Sequence, residues 1–96
     1  MHESLAERRQ ELVDLFRSAQ SEAELDTLLE GVLTPQEIEE ISLRWRLMTR
    51  LVSGQTQRQI SKELGVSLGT ISRGSRLLQY GPPRFRDYVE RRSRSS

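Results

Sequence analysis

Cysteine is absent from the 96 residues, so neither a disulfide framework nor a thiolate metal site is available. The single histidine, His2, follows the initiator Met, where fraying is expected to leave it without a catalytic or ligating role. No apolar run approaches the ~20 residues of a membrane-spanning helix. The opening MHESLAERRQEL carries acids where a secretory signal would be apolar, so the expected location is the cytoplasm. Strand-like alternation and internal repeats are lacking too. Without cysteine, a usable histidine or acids converging on an apolar pocket, no enzyme is expected, and neither a metal nor a catalytic cofactor is called for. Aromatics are few: Phe16, Trp45, Tyr80, Phe85 and Tyr88. With an apolar share of 34%, that is a thin core for a lone monomer, since a chain this short hides only about 60–65% of its unfolded surface. A dimer sharing one core would reconcile this with the broad apolar helix stripes below.

The net charge of +1 conceals an asymmetry. Residues 1–55 hold six arginines and eleven acids, a balance of −5. Residues 56–96 hold eight arginines, one lysine and three acids, a balance of +6. A basic half of this kind suits a phosphate-backbone binder. The arginines between Arg86 and Arg94 read as a solvated tail, whereas Arg58, Lys62, Arg73 and Arg76 fall inside a motif.

Helix-start signals recur along the chain. Ser4 with Glu7 precedes Leu5, Leu12, Val13, Phe16 and Ala19, and Ser21 with Glu24 precedes Leu25, Leu28, Leu29 and Val32. Thr34 caps a third helix, Pro35 takes its first position and Glu37 reaches back. That helix carries Ile38, Ile41, Trp45, Met48, Leu51 and Val52, and ends at Gly54. Thr56 with Gln59 and Ser67 with Thr70 open two more, Gly81-Pro82-Pro83 breaks the second of these, and a last helix carries Phe85, Tyr88 and Val89. The expected fold is all-α with about six helices. Residues 1–92 form one domain: 1–55 for dimerisation, 56–79 as a helix-turn-helix and 82–92 as a C-terminal helix, with 93–96 as a disordered tail.

The stretch Gln57–Ser75, QRQISKELGVSLGTISRGS, carries the most information. A short helix with Ile60 and Leu64 on one face stops at Gly65, and Ser67 caps a second helix whose Ile71 faces back. Two helices joined by a tight Gly-containing turn are the unit that places a recognition helix in the major groove. Gly74 is the anomaly, because glycine inside a helix costs about 1 kcal/mol relative to Ala. Beside Arg73, it suggests room for a small ligand.

The segment LTPQEIEEISLRWRLMTRLVSGQTQRQISKELGVSLGTISRGSRLL, about Leu33–Leu78, resembles the bacterial tryptophan repressor family, with weaker matching of helix order on both sides. The shared features are LTP with an acid two residues on, the Arg44-x-Arg46 pair, QRxI, KELG and T-I-S-R-G-S. That family exemplifies this docking geometry and water-mediated base readout. The resemblance implies an intertwined all-α homodimer that represses genes of tryptophan biosynthesis or transport through a palindromic operator, with L-tryptophan as corepressor. It implies that Arg44 and Arg73 sandwich the indole, a guanidinium–aromatic contact worth about 0.5–2 kcal/mol. It further implies that Arg73 pairs with the ligand carboxylate, that Thr34 offers a hydroxyl, and that partner-subunit carbonyls near Gly31 and Leu33 take the ammonium. Gly74 would leave space beside the ring. Taken singly, Arg44 also reads as an ion-pair partner of Glu40 and Arg73 as a phosphate contact.

For double-stranded DNA, the matching positions are Gln57, Arg58, Ser61 and Lys62 on the first motif helix, and Ser67, Leu68, Gly69, Thr70 and Ser72 on the second. Leu68 at a helix start suits a thymine methyl, or alternatively a protein neighbour. Three departures stand out. Leu77 replaces a serine that lines the family's ligand pocket, the Gly54-Gln55 link is one residue shorter, and Ser61 stands where a lysine is expected, with Lys62 adjacent. Two alternatives remain: a related regulator with a different ligand or none, and a small helical adaptor that binds protein.

Overall fold

The computed structural model describes residues 4–95, without the side chain of residue 95; His2 and the last residue of the expected tail lie outside the described residues. Six helices and no strand are present among them: α1 (Leu5–Arg17), α2 (Glu22–Val32), α3 (Pro35–Val52), α4 (Gln57–Leu64), α5 (Leu68–Tyr80) and α6 (Pro83–Ser95). The fold is all-α, as the periodicity predicts. Among the described residues, no helix is long and apolar enough to cross a membrane.

The caps explain why five of these helices begin where they do. Ser4 Oγ accepts the Glu7 N–H at 3.1 Å, and Ser21 Oγ accepts the Glu24 N–H at 3.1 Å. The Glu24 carboxylate reaches one residue past the cap, to the Gln20 N–H. At Thr34 and at Thr56 the box closes in both directions, with Glu37 and Gln59 accepting from the cap N–H at 2.9 Å. Ser67 Oγ accepts the Thr70 N–H at 3.1 Å. Each cap satisfies a backbone donor that the helix leaves orphaned and contributes about 1 kcal/mol.

The chain forms two compact units, Met1–Ile38 and Glu39–Ser96. In the first, α1 and α2 bury no residue, and Leu5, Leu12, Val13, Leu25, Leu29 and Val32 stay exposed. The stripes that periodicity predicts as core are therefore not covered as core within a single chain.

The second unit has a true core of Leu47, Met48, Ile60, Ile71, Leu78 and Val89, with Leu51, Leu64, Val66 and Phe85 half-buried against it. The spacing dictates this: Ile60 and Leu64 share one face of α4, Ile71 and Leu78 one face of α5, and Phe85 and Val89 one face of α6. Between α4 and α5, Gly65 takes φ 67°, ψ 33° and donates to the Ser61 carbonyl at 2.9 Å. That left-handed conformation is why the turn needs glycine. An ion pair between Arg50 and Glu63 ties the end of α3 to α4.

The expected disordered tail is corrected: α6 continues to Ser95. Arg92 and Arg94 lie in its last turn, where cations oppose the negative helix end, and Arg94 Nε donates to the Glu90 carbonyl.

Two substitutions test this account. Ile71→Ala is expected to cost about 2–5 kcal/mol, and Gly65→Ala about 1–2 kcal/mol through left-handed strain. Both would be read from urea midpoints at constant m-value.

Candidate ligand cleft and nucleic-acid face

Two helical stripes face one another in the second unit. From α3 come Glu40, Leu43, Arg44 and Leu47; from α5 come Thr70, Arg73, Gly74, Arg76, Leu77 and Tyr80, with Gly81 beyond its end. Spacings of three and four residues put each set on one helical face. Together they line a half-open cleft of about 910 Å³, within the range of small-molecule sites. Arg44, Arg73, Gly74 and Leu77, assigned to a ligand from the sequence, are brought together here. Leu43, Leu47, Arg76, Tyr80 and Gly81 escaped that assignment, and Glu40 entered it only as an ion-pair partner. The signal for Glu40, Leu47, Arg76 and Tyr80 was their spacing of three, four or seven residues from Arg44 or Arg73.

The cleft is cationic, with three guanidiniums and one carboxylate. Arg44, Arg73 and Arg76 make no hydrogen bond or ion pair among the described residues, so the alternative pairing of Arg44 with Glu40 does not form. A second hollow of about 430 Å³ is lined by Ile41, Arg44, Trp45, Met48, Leu77, Pro82 and Phe85, so Arg44 and Leu77 border both spaces.

Gly74 requires a correction. It is buried, and a Cβ built there would overlap Leu47 Cδ1 and approach Leu47 Cγ to 3.4 Å. The space left by the missing side chain is filled by Leu47, itself only 1% exposed. The glycine thus permits a close approach of α3 to α5, and the cleft opens alongside that contact.

Gly31, Leu33 and Thr34 belong to the first unit. Gly31 lies inside α2, Leu33 is its C-cap, and the Thr34 hydroxyl accepts from Glu37 as the cap of α3.

On the nucleic-acid face, Gln57, Arg58 and Lys62 are exposed on α4, as are Ser67 at the cap of α5 and Leu68, Gly69 and Ser72 on it. Leu68 keeps half its surface open, as a base-edge or protein contact would need. Ser61 is half-buried, and its hydroxyl donates to the Val66 carbonyl at 2.6 Å, bracing the turn. Thr70 is half-buried and faces the cleft. No cluster of His, Cys, Asp or Glu able to hold a metal occurs among the described residues.

The profile of the Trp repressor protein family matches residues 7–93. The chain belongs to the Trp repressor family. The match extends well beyond the Leu33–Leu78 stretch that carries the motifs, and takes in all six helices. A protein named Trp operon repressor homolog from Photobacterium profundum is 43% identical over 72 residues, covering 74% of this chain and 70% of that protein. The like-named protein of Vibrio campbellii is 38% identical over 79 residues, covering 81% and 79%. That of Histophilus somni is 34% identical over 85 residues, covering 88% and 80%. Membership makes the chain a DNA-binding transcriptional repressor and not an enzyme.

The close approach at Gly74 has a measurable consequence. Gly74→Ala is expected to destabilise the fold by about 0–2 kcal/mol net, overpacking against Leu47 of about 1–3 kcal/mol less the roughly 1 kcal/mol that Ala gains over Gly in a helix. Combining it with Leu47→Ala should cost less than the two single changes added together. Strict additivity in a urea-denaturation cycle would contradict this contact.

Proposed function

We propose that the chain is an L-tryptophan-dependent repressor, acting in the cytoplasm as an intertwined homodimer on a palindromic operator of tryptophan biosynthesis or transport genes. The observation that carries the reading is the cleft in which Arg44 of α3 and Arg73 of α5 both lack a hydrogen-bond or ion-pair partner among the described residues. A guanidinium offers a flat cationic face to an indole and a fork to a carboxylate, so two unpaired ones in one apolar-floored cleft suit an aromatic amino acid. The names of the similar proteins point the same way.

Dimerisation is supported by what one chain leaves uncovered. Leu5, Leu12, Val13, Leu25, Leu29 and Val32 of the first unit, and Ile41 and Trp45 beside the carbon-lined hollow of the second, remain open to solvent. Apolar surface on this scale marks an interface. In the dimer, carbonyls near Gly31 and Leu33 of the partner would receive the ligand ammonium, and Thr34 would offer its hydroxyl. Two reading heads about one DNA turn apart, ~34 Å, would then meet successive major grooves.

DNA contact is assigned to Gln57, Arg58, Lys62, Ser67, Leu68, Gly69, Thr70 and Ser72, with Ser61 supporting the turn from within. By linkage, tryptophan tightens DNA binding by the factor by which DNA tightens tryptophan binding. A second reading, another aromatic ligand, draws on Leu77, which puts hydrocarbon into the cleft where the resemblance calls for a hydroxyl.

Calorimetric titration with L-tryptophan is expected to show saturable binding that Arg73→Ala abolishes, with the dimer intact by light scattering. Unchanged affinity in the variant would reject the cleft as the site. A thermal-shift series over aromatic amino acids separates the two ligand readings, because stabilisation follows ligand concentration over Kd. On a duplex, affinity should fall linearly with log salt, and Arg58→Ala or Lys62→Ala should each reduce the slope by about one. A flat salt response would exclude backbone binding.

A further inference from the structure

Thr70 occupies two places at once. It stands in the first turn of α5 with Leu68 and Gly69, and it lines the cleft with Arg73 and Leu77. Its Oγ1 lies 3.0 Å from Ser67 Oγ, which also accepts the Thr70 N–H at 3.1 Å. Ser67 is exposed as the N-cap of α5, on the side assigned to DNA.

Each hydroxyl carries one proton and two lone pairs. When Thr70 donates to Ser67, the Thr70 N–H and O–H fill both lone pairs of Ser67 Oγ, and the Ser67 proton points outward. When Ser67 donates to Thr70, the Ser67 proton is used and the Thr70 proton turns toward the cleft. The two proton orders exclude one another.

We propose that the Ser67–Thr70 pair relays cleft occupancy to DNA. A ligand N–H that donates to Thr70 Oγ1 from the cleft opposes a Thr70 proton turned that way and so favours the order in which Thr70 donates to Ser67, leaving the Ser67 proton for a DNA phosphate oxygen. The complex with both partners gains a hydrogen bond to a charged acceptor, the stronger kind. A ligand group that accepts from Thr70 reverses the order and withdraws the Ser67 proton. Thr70 is thus a positioning residue, acting on DNA through Ser67. This inference rests on the proposed function and deepens it, by naming how the ligand site reaches the DNA face.

The test reads the coupling factor, the ratio of DNA Kd without and with saturating L-tryptophan. It uses fluorescence anisotropy on a duplex selected by the protein from a random-sequence pool. Thr70→Val removes the hydroxyl at constant shape, and Ser67→Gly removes the other at a cost of only a few tenths of a kcal/mol of capping. Each is expected to lower the coupling factor about three- to tenfold, less than the full worth of a hydrogen bond to a charged group, because DNA alone can also draw the pair into the favourable order. The double variant should fall no further, and Thr70→Ser should keep the parent value. A purely structural role would weaken DNA binding equally with and without ligand, leaving the ratio unchanged. An unchanged ratio in both single variants, or additive losses in the double, overturns the relay while the functional reading stands. A parent protein that binds no tryptophan in the calorimeter overturns both.

Discussion

The close approach of α3 to α5 at Gly74 is the constraint on which the second unit depends. Leu47 occupies the volume that any side chain at position 74 would need, and through Leu47 the third helix joins the same core as Ile60, Ile71 and Val89. A helical glycine is unfavourable by propensity alone. Here the burial of a leucine offsets that cost, because packing density in a core leaves little tolerance for an added methyl. The same approach brings the stripe of Arg44 alongside that of Arg73 and sets the width of the cleft between them. Stability and the candidate site therefore share one contact.

Charge and hydrophobicity divide the molecule along the chain. The first unit exposes leucine and valine on helices rich in acids, while the second closes a small core and carries the basic groups. The uncovered apolar stripes thus belong to one unit and most of the cations to the other. Within the second unit, the short turn at Gly65 and the Ser61–Val66 bond hold α4 and α5 in fixed relation. Thr70 lies where the cleft meets the cap of α5.

Much of this was legible before any coordinates. The capping serines and threonines, four with an acidic or amide partner and Ser67 with Thr70, mark five helix starts, since an orphaned N–H must find an acceptor within a few residues. Ile60, Ile71 and Val89 follow from helical period. The apolar residues of α1 and α2 have the same period and yet stay open, because periodicity reports which face is apolar and not what covers it. The end of α6 was misread for a related reason. Arginine and serine composition suggests a solvated coil, but the Arg94–Glu90 bond and the helix dipole act only once the helix exists.

What followed from residue order alone was local: helix positions, caps, the tight turn at Gly65, and the arginine–glycine–serine run that marks the family. These rest on interactions between residues three or four apart, which the chain carries with it. Tertiary structure alone decided that Gly74 faces Leu47 and not open space, that Thr70 turns toward the cleft, and that Arg76 and Tyr80 join its walls. Those outcomes depend on how two helices distant in sequence approach each other, and no local pattern encodes the side of a neighbour that is not yet in place.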